Sequence, residues 1–132
     1  MSNTIVIKIG GRASQNLTDD FLQQLASWKS QGKSLIIVHG GGYAINQLME
    51  EAQIPVKKID GLRVTDSQSL GLVKTALVEV VGKNILASLT QAGLPAQQVL
   101  EQLPDLVEAE FLDQAKYGYV GQISQIHGQA LE

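Results

Sequence analysis

The amino-acid sequence predicts an α/β fold in which a mostly parallel sheet is sandwiched by helices and carries an antiparallel β-hairpin. Two short, nearly continuous apolar runs, Thr4–Ile9 and Ser34–His39, are typical of strands that are covered on both faces of a parallel sheet. A helical pattern lies between them, which makes a strand–helix–strand unit. The dipeptide Asp60-Gly61, flanked by short strand patterns, can supply the two positive φ angles of a type I′ hairpin turn.

Composition restricts the class of protein. The chain has 132 residues, which is one domain's worth, and 44% of them are hydrophobic, which is enough for a core. It has no cysteine, so disulfides, thiolate metal sites and a cysteine nucleophile are excluded. No apolar run approaches the length of a membrane span, so we expect a cytoplasmic protein without a membrane partner.

The charges favour a small anionic ligand over nucleic acid. Residues 1–100 hold nine of the ten Lys and Arg against seven of the thirteen Asp and Glu, whereas the remaining residues are acidic. The basic residues do not cluster as a nucleic-acid-binding surface requires. We therefore expect no nucleic-acid partner.

The first half of the chain predicts two helices beside the strands. Thr18 is placed to cap a helix that ends near Gly32, a residue suited to a left-handed C-terminal position. A second helix follows Gly40-Gly41-Gly42. The apolar positions at helical spacing are Phe21, Leu22, Leu25 and Trp28 in the first helix and Ile45, Leu48, Met49 and Ala52 in the second.

The second half predicts a long helix and a late strand pair. Thr65 followed by Gln68 forms a capping-box pattern, and the helix that it opens ends near Gly93. The apolar stripe of this helix is broad enough to cover a sheet, to contact a second subunit, or both. Val107–Phe111 alternates between apolar and polar residues, as a half-exposed strand does, and residues 119–126 are predicted to be the strand that pairs with it. The stripe consists of Leu70, Val73, Leu77, Val80, Val81 and Leu89.

Lys8, Gly10 and Gly11 lie where the first predicted strand ends. Ligands bind outside the carboxyl ends of strands in open α/β sheets, and glycine lets a backbone approach an anion closely. A lysine there can neutralise the charge of that anion. The alternative is a lysine that extends to solvent above an ordinary tight turn.

Gly40, Gly41 and Gly42 form a second glycine loop, between a strand and a helix. The free N–H groups and the positive dipole end of that helix favour a phosphate or a carboxylate. The alternative is that the glycines only allow close packing of helix on strand. His39, just before the loop, is expected to pack or to donate a supporting hydrogen bond, and His127 to lie on the surface.

Arg63 follows the predicted hairpin turn. An arginine there can hold a carboxylate with two parallel hydrogen bonds, or it can be a solvated strand residue. His39 and His127 are the only histidines, and neither has ligands at metal-binding spacing, so we expect no metal held by this chain.

Several segments together resemble the amino-terminal half of the N-acetylglutamate kinases, in the amino acid kinase family. They occur in the order and spacing of that group. The segments are Val6-Ile7-Lys8-Ile9-Gly10-Gly11, Ile36-Ile37-Val38-His39-Gly40-Gly41-Gly42, Pro55-Val56-Lys57-Lys58, Gly61-Leu62-Arg63-Val64-Thr65, Gly82-Lys83-Asn84 and Gly118-Tyr119-Val120-Gly121.

The resemblance implies transfer of a phosphoryl group from ATP, with Mg²⁺, to the side-chain carboxylate of N-acetyl-L-glutamate, a step of arginine biosynthesis. It implies that Lys8 stabilises the transferring phosphoryl group. Gly10, Gly11 and Gly40 would lie beside phosphate, Gly41 and Gly42 would bind substrate, and Arg63 would bind the α-carboxylate. It also implies a homodimer or a higher homo-oligomer.

Chains of that family are about twice as long as this one, about two domains' worth. We therefore expect residues 1–132 to form the amino-terminal, acyl-acceptor-binding lobe, without the lobe that holds most of the ATP site, and to be inactive alone. Three alternatives stay open. The first is a kinase for a related N-blocked amino acid, such as an aminoadipate derivative, and the second is a non-catalytic binding or regulatory module. The third is a structural dimerisation domain that uses the apolar helix at residues 66–92.

Overall fold

The structure, a computed structural model, describes residues 3–131 and divides into two compact units. One unit comprises residues 3–45 and 75–98, and the other comprises residues 46–74 and 99–131. Each unit contains paired strands, and the helices flank them in sequence. The α/β class that the sequence predicts is confirmed.

The first unit is built on a parallel pair of strands. β1 (Thr4–Ile9) and β2 (Ser34–His39) have the predicted bounds and pair in parallel, with Ile9 opposite His39. A 3₁₀ helix (Gly11–Gln15) follows β1. α1 (Asp19–Ser30) connects the two strands, and the Thr18 hydroxyl accepts a hydrogen bond from the Phe21 amide at 3.2 Å, as a helix cap does.

One face of this strand pair is exposed in the part of the chain that the structure describes. Val6 is 64% exposed and Val38 is 44% exposed, and both lie on the face that carries Lys8. The opposite face ends in Ile9, which is buried. Continuous apolar runs predict cover on both faces, but no described element of this unit covers the Val6 face. Of the three strand pairs that the structure describes, β1 with β2 is parallel and the other two are antiparallel.

Two helical segments complete the first unit. α2 (Gly42–Glu51) begins here and continues into residues of the second unit. A π-helical segment (Thr75–Gly82) runs directly into α4 (Lys83–Gln91), and Gly93 ends that helix with a φ of 77°. The buried apolar side chains of this unit are those of Ile9, Leu25, Ala44, Ile45, Ala76, Val81, Ile85 and Leu89.

The π-helical segment is closed on one side by Gln98. The side-chain nitrogen Nε2 of Gln98 donates to the Val78 carbonyl oxygen at 3.3 Å. A Cβ atom at Gly82 would lie 2.1 Å from the Gln98 side-chain oxygen and 2.8 Å from the Leu77 carbonyl oxygen. Gly82 is therefore glycine because another chain segment occupies the space beside its Cα.

Ser14, in the 3₁₀ helix after β1, is 3% exposed, and its hydroxyl oxygen has no hydrogen-bond partner among the described residues. An unpaired buried hydroxyl costs free energy that an apolar side chain does not. We expect Ser14→Ala to raise the free energy of unfolding by about 1 kcal/mol. Urea denaturation measures the change, with Ser30→Ala as the control because the Ser30 hydroxyl is exposed and paired. A lower stability of Ser14→Ala would contradict the prediction and would point to a partner such as buried water.

The second unit contains the predicted hairpin. β3 (Lys58–Ile59) and β4 (Leu62–Arg63) pair antiparallel, with Lys58 opposite Arg63. The turn residues Asp60 and Gly61 have φ angles of 54° and 79°, as a type I′ turn requires. Each strand has two residues, and the Val64 amide also donates to the Lys57 carbonyl oxygen at 2.9 Å.

The predicted capping box at Thr65 is wrong. α3 (Ser67–Lys74) is capped by Asp66, whose carboxylate accepts from the Ser69 amide at 2.7 Å. Hydrogen bonds from Ser69 hold the pKa of the Asp66 carboxyl below its ordinary value. Thr65 is buried, and its backbone is paired instead with Gly118 in a parallel bridge, which the local sequence does not reveal.

The last part of the second unit is a second antiparallel strand pair. A short helix, α5 (Leu103–Leu106), leads into β5 (Val107–Phe111), which pairs with β6 (Gly121–Ile126) through a register shift next to Glu108. The pairing confirms the late strand pair, although β6 begins at Gly121 and not at residue 119. Between the strands lies α6 (Gln114–Tyr117), and a 3₁₀ helix (Gly128–Leu131) ends the described chain.

Among residues 3–131, no helix combines the length and the apolar character that crossing a membrane requires.

Candidate functional site

The carboxyl ends of β1 and β2 bring the two predicted glycine loops together in the first unit. Ile9 and His39 are paired neighbours, so Gly10 and Gly40 leave the sheet side by side. Gly11 begins the 3₁₀ helix, and Gly42 begins α2. The structure therefore gathers one lysine-bearing strand end and both loops at a single edge of the sheet.

Three of these glycines have no packing reason to be glycine. A Cβ atom at Gly10, Gly40 or Gly42 would meet no other atom within 4 Å, and none of the three has a positive φ. Gly41 differs, because its Cβ would lie 2.9 Å from Leu77 Cδ2 and 3.2 Å from Val81 Cγ2. The close-packing alternative thus accounts for Gly41 alone, and the open space at the other three is available to a ligand.

These contacts lead to a prediction about stability. We expect Gly41→Ala to destabilise the protein by about 1–3 kcal/mol, because the added methyl group overpacks Leu77 and Val81. Gly42→Ala should leave stability unchanged or raise it slightly, because alanine favours the helix and the space is open. Thermal denaturation of the two variants in parallel measures the difference. Equal melting temperatures would contradict the packing role of Gly41.

His39 fixes the orientation of the second loop. Its Nδ1–H donates to the Gly40 carbonyl oxygen at 2.9 Å. Because a peptide group is planar and trans, the N–H of Gly41 points away from the direction of that carbonyl. The supporting hydrogen bond expected of His39 is thus confirmed, and the ring acts on the loop backbone.

The start of α2 offers free amide groups at the same edge. The Gly41 carbonyl oxygen accepts the first helical hydrogen bond, from the Ile45 amide at 2.9 Å. The amides of Gly42, Tyr43 and Ala44 precede the first residue with a helical acceptor, and no side chain of the described residues caps them. Such amides favour an anionic ligand, and that of Gly42 lies on an exposed residue with open space at its Cα.

Lys8 brings a positive charge to this edge. Its side chain is exposed, and it forms no ion pair with any described residue. Arg12, in the adjacent 3₁₀ helix, is also exposed and has no carboxylate partner in that part of the chain. Two uncompensated cations on the segments just before and just after Gly10 can bind a phosphate or carboxylate and can neutralise charge that develops on it.

Arg63, the remaining predicted site residue, lies in the second unit on β4. Its guanidinium group is half-buried, donates from Nη2 to Asn46 Oδ1 at 2.7 Å and contacts Met49 Sδ at 3.6 Å. Both partners are neutral residues of α2. Arg63 is therefore oriented by the helix while its charge stays available to an anion.

Lys58 adds a second cation to the hairpin. It is paired with Arg63, and directly opposed residues of an antiparallel pair point to the same face. Two like charges in this arrangement repel each other, and a bound anion would relieve the repulsion. The hairpin face that carries Arg63 is therefore suited to a carboxylate.

A surface cavity of about 350 Å³ also lies within the second unit, at the base of the hairpin. It is lined by residues 52–55, which follow α2, by Lys57 and Val64, and by the capped start of α3. None of the predicted site residues lines it. It accounts for no part of the predicted anion site.

Metal-binding groups are absent from the part of the chain that the structure describes: no three His, Asp or Glu side chains gather closely enough to hold a metal ion. The site residues do not fit a resident Mg²⁺.

Sequence reasoning missed one residue in each unit, Asn46 beside Arg63 and Arg12 beside the first glycine loop. Asn46 orients Arg63, but the two are far apart in sequence and Asn46 follows an ordinary apolar helix position. Arg12 gives no periodic or motif signal, and only its place directly after Gly10 and Gly11 could have indicated it.

Comparison with known proteins relates the chain to one family. The model of the amino acid kinase family matches residues 3–132. A protein of Streptococcus mutans named acetylglutamate kinase is 52% identical over all 132 residues, and one of Streptococcus sanguinis with the same name is 43% identical. The chain spans about half the length of these relatives, 54% of each.

Solved structures agree with these sequence relatives. A crystal structure of a Streptococcus mutans protein superposes with a TM-score of 0.93 at 52% identity, over 99% of this chain and 54% of that one. The N-acetylglutamate synthase of Neisseria gonorrhoeae superposes with a TM-score of 0.73 at 23% identity, over 98% of this chain and 30% of that one. At that identity the synthase is informative about the fold alone.

Proposed function

The chain belongs to the amino acid kinase family, and we propose that it forms the acyl-acceptor-binding part of an ATP-dependent N-acetyl-L-glutamate kinase. The main support is the edge formed by Lys8 and the glycines Gly10, Gly40 and Gly42, which are glycine without a packing or φ requirement. The names of the curated relatives support the choice of substrate.

In this reaction an oxygen of the substrate's side-chain carboxylate attacks the γ-phosphorus of ATP. The bond between that phosphorus and the β,γ-bridging oxygen breaks, which gives an acyl phosphate and ADP. Positioning and charge neutralisation supply most of the rate enhancement in phosphoryl transfer, since the protein needs no covalent intermediate. The proposed site residues offer both.

Lys8 neutralises negative charge on the transferring phosphoryl group. The backbone amides of Gly10, Gly11 and Gly40 bind phosphate oxygens, and those of Gly41 and Gly42 bind substrate and the transferred group. These are proposals from the family resemblance, supported by the free amides and the open space at this edge.

Arg63 binds the α-carboxylate of N-acetyl-L-glutamate. Its support is a guanidinium group that is oriented by Asn46 and has no carboxylate partner among the described residues. A charged hydrogen-bond pair of this kind discriminates strongly against substrates without the carboxylate.

We further propose that the part of the family's length that this chain does not span supplies the lobe that holds ATP, so residues 1–132 alone are inactive. The support is the coverage of about half of each relative. The homo-oligomeric state and the cytoplasmic location stay predictions from the sequence.

The test is an assay of the complete protein that carries this chain. Hydroxylamine converts an acyl phosphate to a hydroxamate, and we expect hydroxamate to form only with both ATP and N-acetyl-L-glutamate present. Faster formation with N-acetyl-aminoadipate would instead favour the related kinase. If no hydroxamate forms but calorimetry detects binding of N-acetyl-L-glutamate, the protein is a binding module.

A further inference from the structure

The segment that joins β5 to β6 forms hydrogen bonds with both ends of the hairpin β3–β4. At its base, the Thr65 amide donates to the Tyr117 carbonyl oxygen at 2.9 Å, and the Tyr119 amide donates to the Thr65 carbonyl oxygen at 2.7 Å. At its tip, the Asp60 carboxylate accepts from Lys116 Nζ at 3.0 Å and from the Tyr117 hydroxyl at 3.1 Å. We call residues 116–119 with these contacts the clasp.

The hairpin needs support from outside itself. Each of its strands has two residues, and Ile59 and Leu62 are both exposed. A two-stranded hairpin of this size is marginally stable alone. The clasp and the contacts of Arg63 with α2 are the hydrogen bonds that join it to neighbouring elements among the described residues.

The contact of Tyr117 with Asp60 is the stronger part of the clasp at the tip. Lys116 and Asp60 are both exposed, and an exposed ion pair contributes little. The Tyr117 side chain is buried at 7% exposure, so its hydroxyl is held in place without a further loss of side-chain freedom. The Lys116 ammonium also lies 5.1 Å from the centre of the Tyr117 ring.

Arg63 lies between Asp60 and Thr65, the two residues through which the hairpin is hydrogen-bonded to the clasp. It is three residues after Asp60 and two before Thr65, so the clasp restricts its backbone from both sides. Asn46 restricts the guanidinium group in turn. The position of the charge therefore depends on the tip contact as well as on α2.

We propose that Asp60, held by Tyr117 and Lys116, is a positioning residue that keeps Arg63 in the geometry that binds the substrate's α-carboxylate. The effect on substrate rests on the proposed function, whereas the effect on the hairpin does not. Two measurements on the complete protein test the effect on the hairpin and the effect on substrate binding separately.

The first measurement is hydrogen exchange of the hairpin amides. Tyr117→Phe removes the hydroxyl and keeps the buried ring. We expect the Val64 amide, which closes the hairpin, to exchange about threefold to tenfold faster in this variant, with β1 unchanged. The control is Tyr119→Phe, since that hydroxyl is exposed and has no hydrogen bond among the described residues. Unchanged exchange in Tyr117→Phe would overturn the proposal, whether or not the protein is a kinase.

The second measurement is steady-state kinetics of the same variants. We expect Tyr117→Phe to raise KM for N-acetyl-L-glutamate about threefold to tenfold, with kcat and the KM for ATP unchanged. In an Arg63→Met background the same substitution should have no further effect on KM, because Tyr117 influences the substrate only through the position of Arg63. Asp60→Asn, which keeps an acceptor oxygen and tolerates a positive φ, should raise KM less than Asp60→Gly does.

The outcomes distinguish the two proposals. A wild-type protein that makes no acyl phosphate contradicts the proposed function, and the exchange measurement still decides the clasp. An active wild type whose hairpin loosens in Tyr117→Phe without a change in KM overturns the positioning role. Additive effects of Tyr117→Phe and Arg63→Met on KM would also overturn it.

Discussion

Lys8→Ala in the complete protein should lower kcat about a hundredfold or more and change the KM for N-acetyl-L-glutamate little. The lysine is the next-to-last residue of β1, which leads into the first glycine loop, and no carboxylate of the described chain neutralises it. In the proposed reaction its charge stabilises the phosphoryl group, where negative charge is redistributed during transfer. Loss of a contact that acts mainly in the transition state lowers kcat more than it weakens substrate binding.

The matched control is Lys33→Ala, at the opposite end of the same strand pair, directly before β2. It removes the same charge and should leave kcat within about twofold. An unchanged kcat in Lys8→Ala, or an equal loss in both variants, would remove Lys8 from the proposed role. A large rise in KM with normal kcat would make Lys8 a substrate-binding residue instead.

Gly118→Ala should be the most destabilising single substitution considered for this chain, at about 3–5 kcal/mol. Gly118 has a φ of 71°, and a Cβ atom would lie 2.1 Å from the Thr65 carbonyl oxygen. That oxygen belongs to the backbone, so no side-chain rotation can relieve the overlap. The substitution would break the bridge at Thr65 and the hydrogen bond from the Tyr119 amide.

Thermal denaturation and the yield of folded protein measure this effect. Gly128→Ala is the control, because Gly128 lies in the last 3₁₀ helix, has no positive φ and has open space at its Cα. We expect the control to melt like the wild type. If Gly118→Ala melts at the same temperature as the control, the bridge between Thr65 and Gly118 is not a structural requirement.

The sequence predicted best those elements whose signals are local. The bounds of β1 and β2 follow from two β-branched runs, and the start of α1 follows from Thr18. The hairpin turn at Asp60-Gly61 is specified by two adjacent residues that accept positive φ. In each case the determining interactions lie within a few residues of one another.

The sequence failed where distant residues decide the structure. Thr65 matches a capping box, but its backbone pairs with Gly118 and leaves the capping role to Asp66. The pattern of β1 predicts cover on both faces, and among the described residues no element of its unit covers Val6. A one-dimensional pattern records that a residue suits burial, and it does not record which element covers that residue.

The candidate site residues also divide into those indicated by local sequence signals and those whose role depends on contacts between distant residues. Glycine loops after strands predicted the edge around Lys8, because strand ends and glycine are visible in the sequence. The difference between Gly41 and Gly42 depends on Leu77 and Val81, which only the folded chain brings to Gly41. The roles of these residues in binding and catalysis stay predictions until the variants are measured.

The π-helical segment Thr75–Gly82 has a consequence for insertions and deletions. Bonding from each residue to the fifth one along holds more residues in a turn than an α-helix does, so the segment stores surplus chain length. Removing one residue here would allow ordinary α-helical bonding, and the larger rotation per residue of an α-helix would offset most of the rotation that is lost with that residue. Ile85 and Leu89, which are buried, would then stay close to their present face of α4. This segment is therefore the place in the helical run where a one-residue deletion least disturbs the register of the helix that follows.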